Sequence, residues 1–493
     1  MRKLGILIAS AFLVVGCAKT GNSGPGAQSP NVGPNGGVAK ATDDPAATDR
    51  PEGTGEPGER ISASRSGTWI GAAAEGDVLA SGTRETFLGV WVDVPEGRPD
   101  FRARPPMEVA LVVDTSGSMA GSKIESARGA ATQLVKSLKD GDIVALDAFS
   151  DDARTIVPPT RLDMHTRTEI LREIAQLVPR GGTNMFSGLS LAESQMAAAP
   201  ASHTLRRVVV ISDGIANVGP SSPEILGSIA ERGLRNRAQV TSFGVGIDYD
   251  ERTLNALSVR SSGRLYHIGE PREMAGILKN ELALLEGTLA SDAFVEIMPA
   301  PGVQVIGADG LRTEMRDGAL RIPLGALHAG QHREALVRVR ITDPGAFEGH
   351  TKSMASVRLR FRDAAEGDLE RIQEVVARTQ LGGDEALVAK SVSSRTKAIV
   401  AIMDASRTQM AAAQRINAGD FIDADKELEK AQATLSAQAR VVTAPAEKKR
   451  LEVAANKVAS ARAAARAMPA APKAAQRDGA LKMNADAMHD QGF

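Results

Sequence analysis

The chain has 493 residues, 42% hydrophobic and 24% charged, with 59 Lys and Arg against 60 Asp and Glu. That length exceeds a single hydrophobic core and implies two to four domains. A formal charge of −1 excludes the overall basic character that nucleic-acid binding draws on, so that class is set aside. Aromatics at 3% and 48 glycines point to aliphatic cores, Ala-rich helices and long flexible stretches.

In chain order, Arg2 and Lys3 precede an apolar run over 4–15, too short to cross a bilayer as a helix, that ends in Val14-Val15-Gly16-Cys17. This resembles a bacterial lipoprotein signal with its lipobox. The resemblance implies a signal peptide over 1–16, cleavage before Cys17, and acylation of Cys17 as the membrane anchor. Ala18 rather than Asp after the cysteine favours the outer membrane by that family's sorting habit. The expected location is therefore the bacterial cell envelope, lipid-anchored, on the periplasmic face or the cell surface. Cys17 is the only cysteine, which leaves no disulfide or thiol chemistry for the remainder. Residues 17–60 carry the acylated Cys and a tether without Leu, Ile or aromatics, expected to be disordered. Its coil reach is about 35 Å.

Residues 61–106 read as short strands, among them "ETFLGVWVDV", that need partners elsewhere. From 107 to 287 strand and helix alternate. Strands are predicted at 109–113, 143–149, 208–211, 240–245 and 264–268, with a weaker candidate at 155–157. Helical patterns include 122–139, 186–199, 223–235 and 270–285. Apolar, unalternating strands between helices predict an α/β fold, a doubly wound, mostly parallel sheet covered on both faces. Over 288–382 the period changes to two, predicting an antiparallel β-sandwich-like domain with which 61–106 can pair; "LERIQEVVARTQ" is read as its last strand, hairpinned back through 363–368. Residues 383–468 predict an α-helical hairpin or bundle over 386–418, 421–441 and 447–468, and 469–493 a disordered tail.

In a doubly wound sheet ligands sit outside the carboxyl ends of the strands. Asp114, Ser116 and Ser118 follow the first α/β strand, Thr183 stands in "PRGGTNMF" ahead of a helix, and Asp213 follows "RRVVVIS". Hydroxyl and carboxylate oxygens are hard donors that suit Mg²⁺, Mn²⁺ or Ca²⁺ rather than Zn²⁺, with Mg²⁺ best matched to exchanging a water for an outside oxygen. Alone, "DTSGS" is also a good turn or helix cap. Together, "DTSGS", "GGTN" and "VVVISDG" resemble the von Willebrand factor A (vWA) domain and its metal-ion-dependent adhesion site. The resemblance covers about 107–285; the flanking strands more vaguely resemble inter-alpha-trypsin inhibitor heavy chains. It implies that Asp114, Ser116, Ser118, Thr183 and Asp213 hold the divalent cation, and that a protein partner offers an Asp or Glu carboxylate to it. A site that binds metal but only organises loops is the alternative reading.

Enzyme signatures are weak. Asp114-Thr115-Ser116 lacks the glycine of an aspartic protease motif, and Ser394-Arg395-Thr396-Lys397 has no companion motifs. No Gly-x-Ser-x-Gly or P-loop occurs. His328 and His332 flank a turn and read as exposed rather than as zinc ligands. Residues 446–477 hold eight basic and two acidic residues, an excess of six positive charges that could attract an anionic envelope surface or merely solvate a helix face. The sequence predicts a non-enzymatic, metal-dependent interaction protein of the envelope, with a structural envelope scaffold as the alternative.

Overall fold

The computed structural model describes residues 67–96, 104–213, 215–269, 273–308 and 310–490. The expected signal peptide, Cys17 and the expected tether lie outside them. Three strands come first: β1 (Ile70–Ala74), β2 (Val78–Ala80) and β3 (Glu85–Asp93). An α/β segment follows with β4 (Met107–Asp114), α1 (Ser122–Ser137), β5 (Ile143–Phe149), β6 (Ala153–Arg161), α2 (Met164–Ala175) and α3 (Met185–Ala198). It continues through β7 (Leu205–Ser212), α4 (Pro223–Arg235), β8 (Ala238–Val245), α5 (Glu251–Ser261), β9 (Arg264–Ile268) and α6 (Glu273–Glu286). Seven strands come next: β10 (Thr288–Pro299), β11 (Val303–Ala308), β12 (Glu314–Arg316), β13 (Ala319–His328), β14 (His332–Ile341), β15 (Lys352–Asp363) and β16 (Leu369–Gly383). Helices α7 (Glu385–Lys390), α8 (Ser394–Asn417), α9 (Phe421–Val441), α10 (Pro445–Ala467) and α11 (Lys473–Asp490) close the chain.

The α/β sheet has the order β6-β5-β4-β7-β8-β9 and is parallel except for β6. Strand β4 sits at its middle and is buried along its whole length, which is why its sequence shows no polar alternation. Its side chains divide by period two. Val109, Leu111 and Val113 join a core with Ile124 and Leu134 of α1 and Ile170 of α2, while Ala110 and Val112 join one with Leu189, Leu226 and Leu254 of α3, α4 and α5. The sheet order reverses between β4 and β7, so the switch-point crevice lies at the carboxyl ends of those two strands. The weak strand candidate at 155–157 is the centre of β6, an antiparallel edge strand, with Pro158 and Pro159 that an interior strand would not tolerate.

The α/β segment is inserted into the β region. Strands β1 and β3 pair with β14 and β11 in a four-stranded sheet, and β2 joins β16 at the edge of a six-stranded sheet of order β12-β13-β10-β15-β16-β2. Leu88, Val90, Val337 and Val339 from the first sheet share one core with Val295, Ile297, Val357, Leu359 and Phe361 from the second. Trp69 stacks on Phe361 with ring centroids 4.6 Å apart.

The helical region departs from expectation twice. The predicted helix over 386–418 is broken: Ser391 caps the end of α7, and Ser393 caps α8 by accepting from the Thr396 N–H at 3.2 Å. The expected disordered tail is instead α11. Its Leu481 and Met488 enter the α/β core, while Ala480 and Met483 pack in the helical core with α8 to α10 residues. A helix buried from two sides has no single apolar stripe, so its sequence lacks the amphipathic signature. Polar contacts fix the docking: His267 Nε2 meets Asp478 Oδ1 at 2.9 Å, and Arg477 donates to the carbonyls of Ile247 and Tyr249 at 3.3 Å.

Two outcomes are expected from this packing. Leu481→Ala should destabilise the chain by about 2–4 kcal/mol, the range for truncating a buried leucine; urea unfolding with a loss below about 1 kcal/mol would show that α11 is not docked. The second concerns Asp147 in β5, wholly buried, bonded by Thr155 and Gln195, with Oδ2 unpartnered. Burial raises its pKa from 3.8 to about 6, against those two bonds. A carboxyl whose pKa rises on folding costs stability as pH climbs from about 4 to about 6, and the cost then stays constant. Asp147→Asn should therefore match the wild type near pH 4 and exceed it by about 2 kcal/mol at pH 7.5. A difference that does not vary with pH would refute the assignment.

Candidate metal centre

Three loops at the carboxyl edge of the α/β sheet build the site. Asp114 ends β4, and the chain turns through a 3-10 segment at Gly117–Met119 into α1. Gly121, with φ 78°, makes the bend that starts α1, a conformation a side chain resists. In the second loop, Gly181 has φ 68°, and a Cβ there would meet Asp151 Oδ2 at 2.2 Å. Gly182 N–H donates to Asp151 Oδ1 at 2.8 Å, and Asn184 caps α3 by accepting from Ser187 N–H at 3.1 Å. The "RGGTN" stretch thus has a local structural logic for each residue except Thr183.

Backbone bonds stitch the loops together. Gly117 N–H donates to Gly181 O at 3.0 Å, Arg180 N–H to Thr115 O at 2.6 Å, and Asn217 N–H to Thr183 O at 3.0 Å. Asn217 Oδ1 accepts from Thr183 N–H at 2.8 Å, which ties the Thr183 loop to the segment after Asp213.

Within this frame the side chains form a chain of bonds. Asp114 Oδ1 accepts from Ser116 N–H at 2.8 Å, and its Oδ2 from the Ser212 hydroxyl at 2.6 Å. Ser116 and Ser118 hydroxyls lie 3.0 Å apart, and Ser118 donates to Asp213 Oδ1 at 2.9 Å. Lys123 Nζ reaches Asp213 Oδ2 at 2.5 Å and Asp248 Oδ2 at 3.3 Å. Asp114 and Asp213 are both 0% exposed, whereas Ser118 is exposed, so the cluster opens to solvent at that residue. Thr183 is 3% exposed, and its hydroxyl has no hydrogen-bond partner among the described residues.

The electrostatics follow from burial. Desolvation pushes the Asp114 pKa up, the bonds from Ser212 and Ser116 oppose it, and the Asp213 carboxylate adds to the rise. Burial works against the charge of Lys123, but the bond and charge of Asp213, followed by those of Asp248, outweigh it and raise its pKa. Lys123 is shared with Asp248, so its single charge does not neutralise the Asp114 and Asp213 carboxylates.

Four of the five residues singled out from the sequence as metal ligands, Asp114, Ser116, Ser118 and Asp213, stand in this one bonded chain; Thr183 is held in the adjoining loop. The donor chemistry fits a hard divalent cation: two buried carboxylates, two bonded hydroxyls, one unpartnered hydroxyl and uncompensated negative charge. Among the described residues no group of three or more His, Cys, Asp or Glu converges, which fits a site carried by hydroxyls rather than a zinc site. Sequence reasoning missed Ser212, Lys123, Asn217 and Asp248. Ser212 ends the aliphatic run Val208 to Ile211 one residue before Asp213, and that was its only signal.

Other singled-out residues lie apart. His328 is buried at the end of β13, not exposed as expected, because its ring meets the Thr288 hydroxyl at 3.0 Å beneath the α6–β10 junction; His332 is exposed and meets Asp93 at 2.8 Å. In the basic stretch, Arg450 pairs with Glu334, Arg462 and Arg466 with Asp425, Arg477 with Glu251 and Lys457 with Asp490. Five of its eight basic residues are therefore engaged in ion pairs within the fold.

A doubly wound sheet with a hydroxyl and carboxylate cluster at its switch point defines a class, and the comparisons agree with it. Residues 109–215 match the family model of the von Willebrand factor type A domain. It resembles the solved von Willebrand factor type A protein from Catenulispora acidiphila with a TM-score of 0.62 and 19% identity, over 80% of this chain and 91% of that one. The ArnB paralog VWA2 from Sulfolobus acidocaldarius aligns with a TM-score of 0.53 and 13% identity, over 84% and 97%. Both alignments run beyond 109–215, so the shared fold includes flanking regions. Among curated relatives, the uncharacterized protein YfbK of Escherichia coli is 27% identical over 200 residues, 40% of this chain and 34% of its own length. Inter-alpha-trypsin inhibitor heavy chain H3 of Bos taurus is 26% identical over 185 residues, 36% of this chain and 20% of its own. The matched regions thus span a third and a fifth of those two relatives.

Proposed function

We propose that this chain is a lipid-anchored protein of the bacterial cell envelope whose vWA domain binds a divalent cation, Mg²⁺ by preference and Mn²⁺ or Ca²⁺ as alternatives, and through it a carboxylate of a protein partner. The observation that carries the reading is the pair of buried carboxylates, Asp114 and Asp213, bridged by Ser116 and Ser118, with Lys123 paired to Asp213 alone of the two. Ser116, Ser118 and Thr183 would supply neutral oxygens to the cation, with Asp114 and Asp213 binding directly or through water. A divalent ion there supplies an electrophilic centre that keeps a position for an outside oxygen. The chain's own part is positional: Ser212 and the Ser116 amide orient Asp114, Asn217 holds the Thr183 loop, and exposed Ser118 marks the open side. The fold class and the vWA relatives support an interaction module rather than an enzyme. Cys17 would carry the lipid, with the outer membrane favoured; that residue lies outside the described structure.

One observation favours a second reading. Lys123 already gives Asp213 a counter-charge, so the cluster can serve as a loop organiser without metal. The two readings separate by titration. Isothermal titration should show saturable Mg²⁺ or Mn²⁺ binding in the micromolar to millimolar range, lost in Asp114→Ala. Lys123→Met should bind roughly tenfold more tightly, the order expected for removing one unit charge from a partly exposed site. Cross-linking pull-downs from the native envelope should then recover a partner with Mg²⁺ but not with EDTA or Asp114→Ala. No divalent binding in either protein would leave the loop-organiser reading standing. The anchor has its own check: labelled palmitate should enter the wild type and not Cys17→Ala, and equal labelling of both would remove Cys17 from the proposal.

A further inference from the structure

At the opposite edge of the α/β sheet, where β4, β7 and β8 begin, a cavity of about 260 Å³ separates the sheet from strands β10, β12 and β13. Seven arginines and two carboxylates line it. Most of that charge is already met. Arg237 pairs with Asp292 at 3.6 Å and Asp368 at 3.4 Å, Arg312 with Glu231 at 3.2 Å, and Arg206 donates to the carbonyls of Met196 and Asn236 at 3.0 and 3.1 Å.

Arg207 is different. It is 4% exposed, yet its guanidinium makes no hydrogen bond among the described residues. The carboxylate that balances it through space, Glu281, is engaged by Thr241 at 3.0 Å, Arg264 at 3.2 Å and Tyr266 at 2.8 Å. One buried carboxylate therefore serves two buried guanidiniums. Two further polar atoms on the cavity wall are buried and unpartnered, the Thr204 hydroxyl and Arg321 Nε. All three groups can donate, and buried donors are rarely left unmet. Arg321 Nη2 already pairs with Glu296 at 2.5 Å, so the donors left without an acceptor are the Arg207 guanidinium, the Thr204 hydroxyl and Arg321 Nε.

We infer that this cavity is a binding site for a compact oxyanion, a phosphate group or clustered carboxylates of a small molecule, held by Arg207, Thr204 and Arg321. The volume falls just below the ~300–1,000 Å³ of typical ligand pockets, which limits the ligand to a small one. A planar guanidinium fork suits both phosphate and carboxylate geometry. Arg207 and Thr204 belong to the vWA domain and Arg321 to the sandwich, so the bound anion bridges the two.

Titration of the full chain at constant ionic strength with inorganic phosphate, pyrophosphate and citrate tests this. At least one should bind saturably and raise the melting temperature with concentration, as any ligand of the folded state does. Binding by the phosphates alone assigns a phosphoryl ligand, and by citrate alone a polycarboxylate. Arg207→Gln should weaken binding at least tenfold, and Thr204→Val severalfold. If Arg207→Gln does not fold, Thr204→Val decides, since it conserves volume. Absence of saturable binding by all three anions overturns the inference, as does binding that Thr204→Val leaves unchanged.

Discussion

The vWA domain is organised around two carboxylates that have been removed from water together. Asp114 and Asp213 are wholly buried at the ends of adjacent central strands, an arrangement that like charge and desolvation both oppose. It is tolerated because each oxygen has a donor: Ser116 and Ser212 on Asp114, Ser118 and Lys123 on Asp213. Every nearby loop feature serves those donors. The turn after β4 brings Ser116 and Ser118 round, Gly121 lets α1 begin in time to present Lys123, and the glycines of the second loop let it close onto the turn.

That local order needs a stiff frame, and the rest of the chain supplies one by interleaving. The vWA segment leaves the sandwich after β3 and re-enters it at β10, so both of its ends are fixed in one β core. Arg395 of α8 ties the helical region to the sandwich through Asp93 and Glu334, each at 2.9 Å, while α11 returns to cover β9 and α5. The three regions are not strung on linkers. Each contributes side chains to a neighbour's core or ion-pair network, and relative motion between them would expose apolar surface.

How much of this was legible in the sequence depended on whether a residue's role was local. Strand β4 announced itself because burial on both faces leaves an unbroken aliphatic run, and "DTSGS" and "GGTN" were readable because turn and cap chemistry is short-range. Lys123 and Asp248 were not, since an ion pair between residues 125 apart leaves no trace in spacing. Helix α11 failed for another reason. Sequence periodicity reports one buried face, and Ala480, Leu481, Met483 and Met488 are shared between two cores. His328 likewise read as a turn residue because its burial comes from α6 and β10, distant in sequence.

Strand β7 carries both charged edges of the domain. It begins with Arg206 and Arg207 and ends with Ser212 before Asp213, and the four residues between, Val208 to Ile211, are aliphatic and buried. At the rise of a strand its ends stand roughly 23 Å apart. It is hydrogen-bonded on both sides, to β4 and β8, so no polar relay runs along it and it can move only with its neighbours. The positive and negative edges are therefore mechanically joined and electrostatically separate. Screening at physiological ionic strength acts over about 8 Å, well short of that span, so a change of charge at one edge reaches the other only if the sheet shifts as a body. A signal between the Asp114–Asp213 edge and the cleft that faces the sandwich would have to appear as a displacement of β4 and β7 together, and the α11 docking on β9 is one of the contacts that resists it.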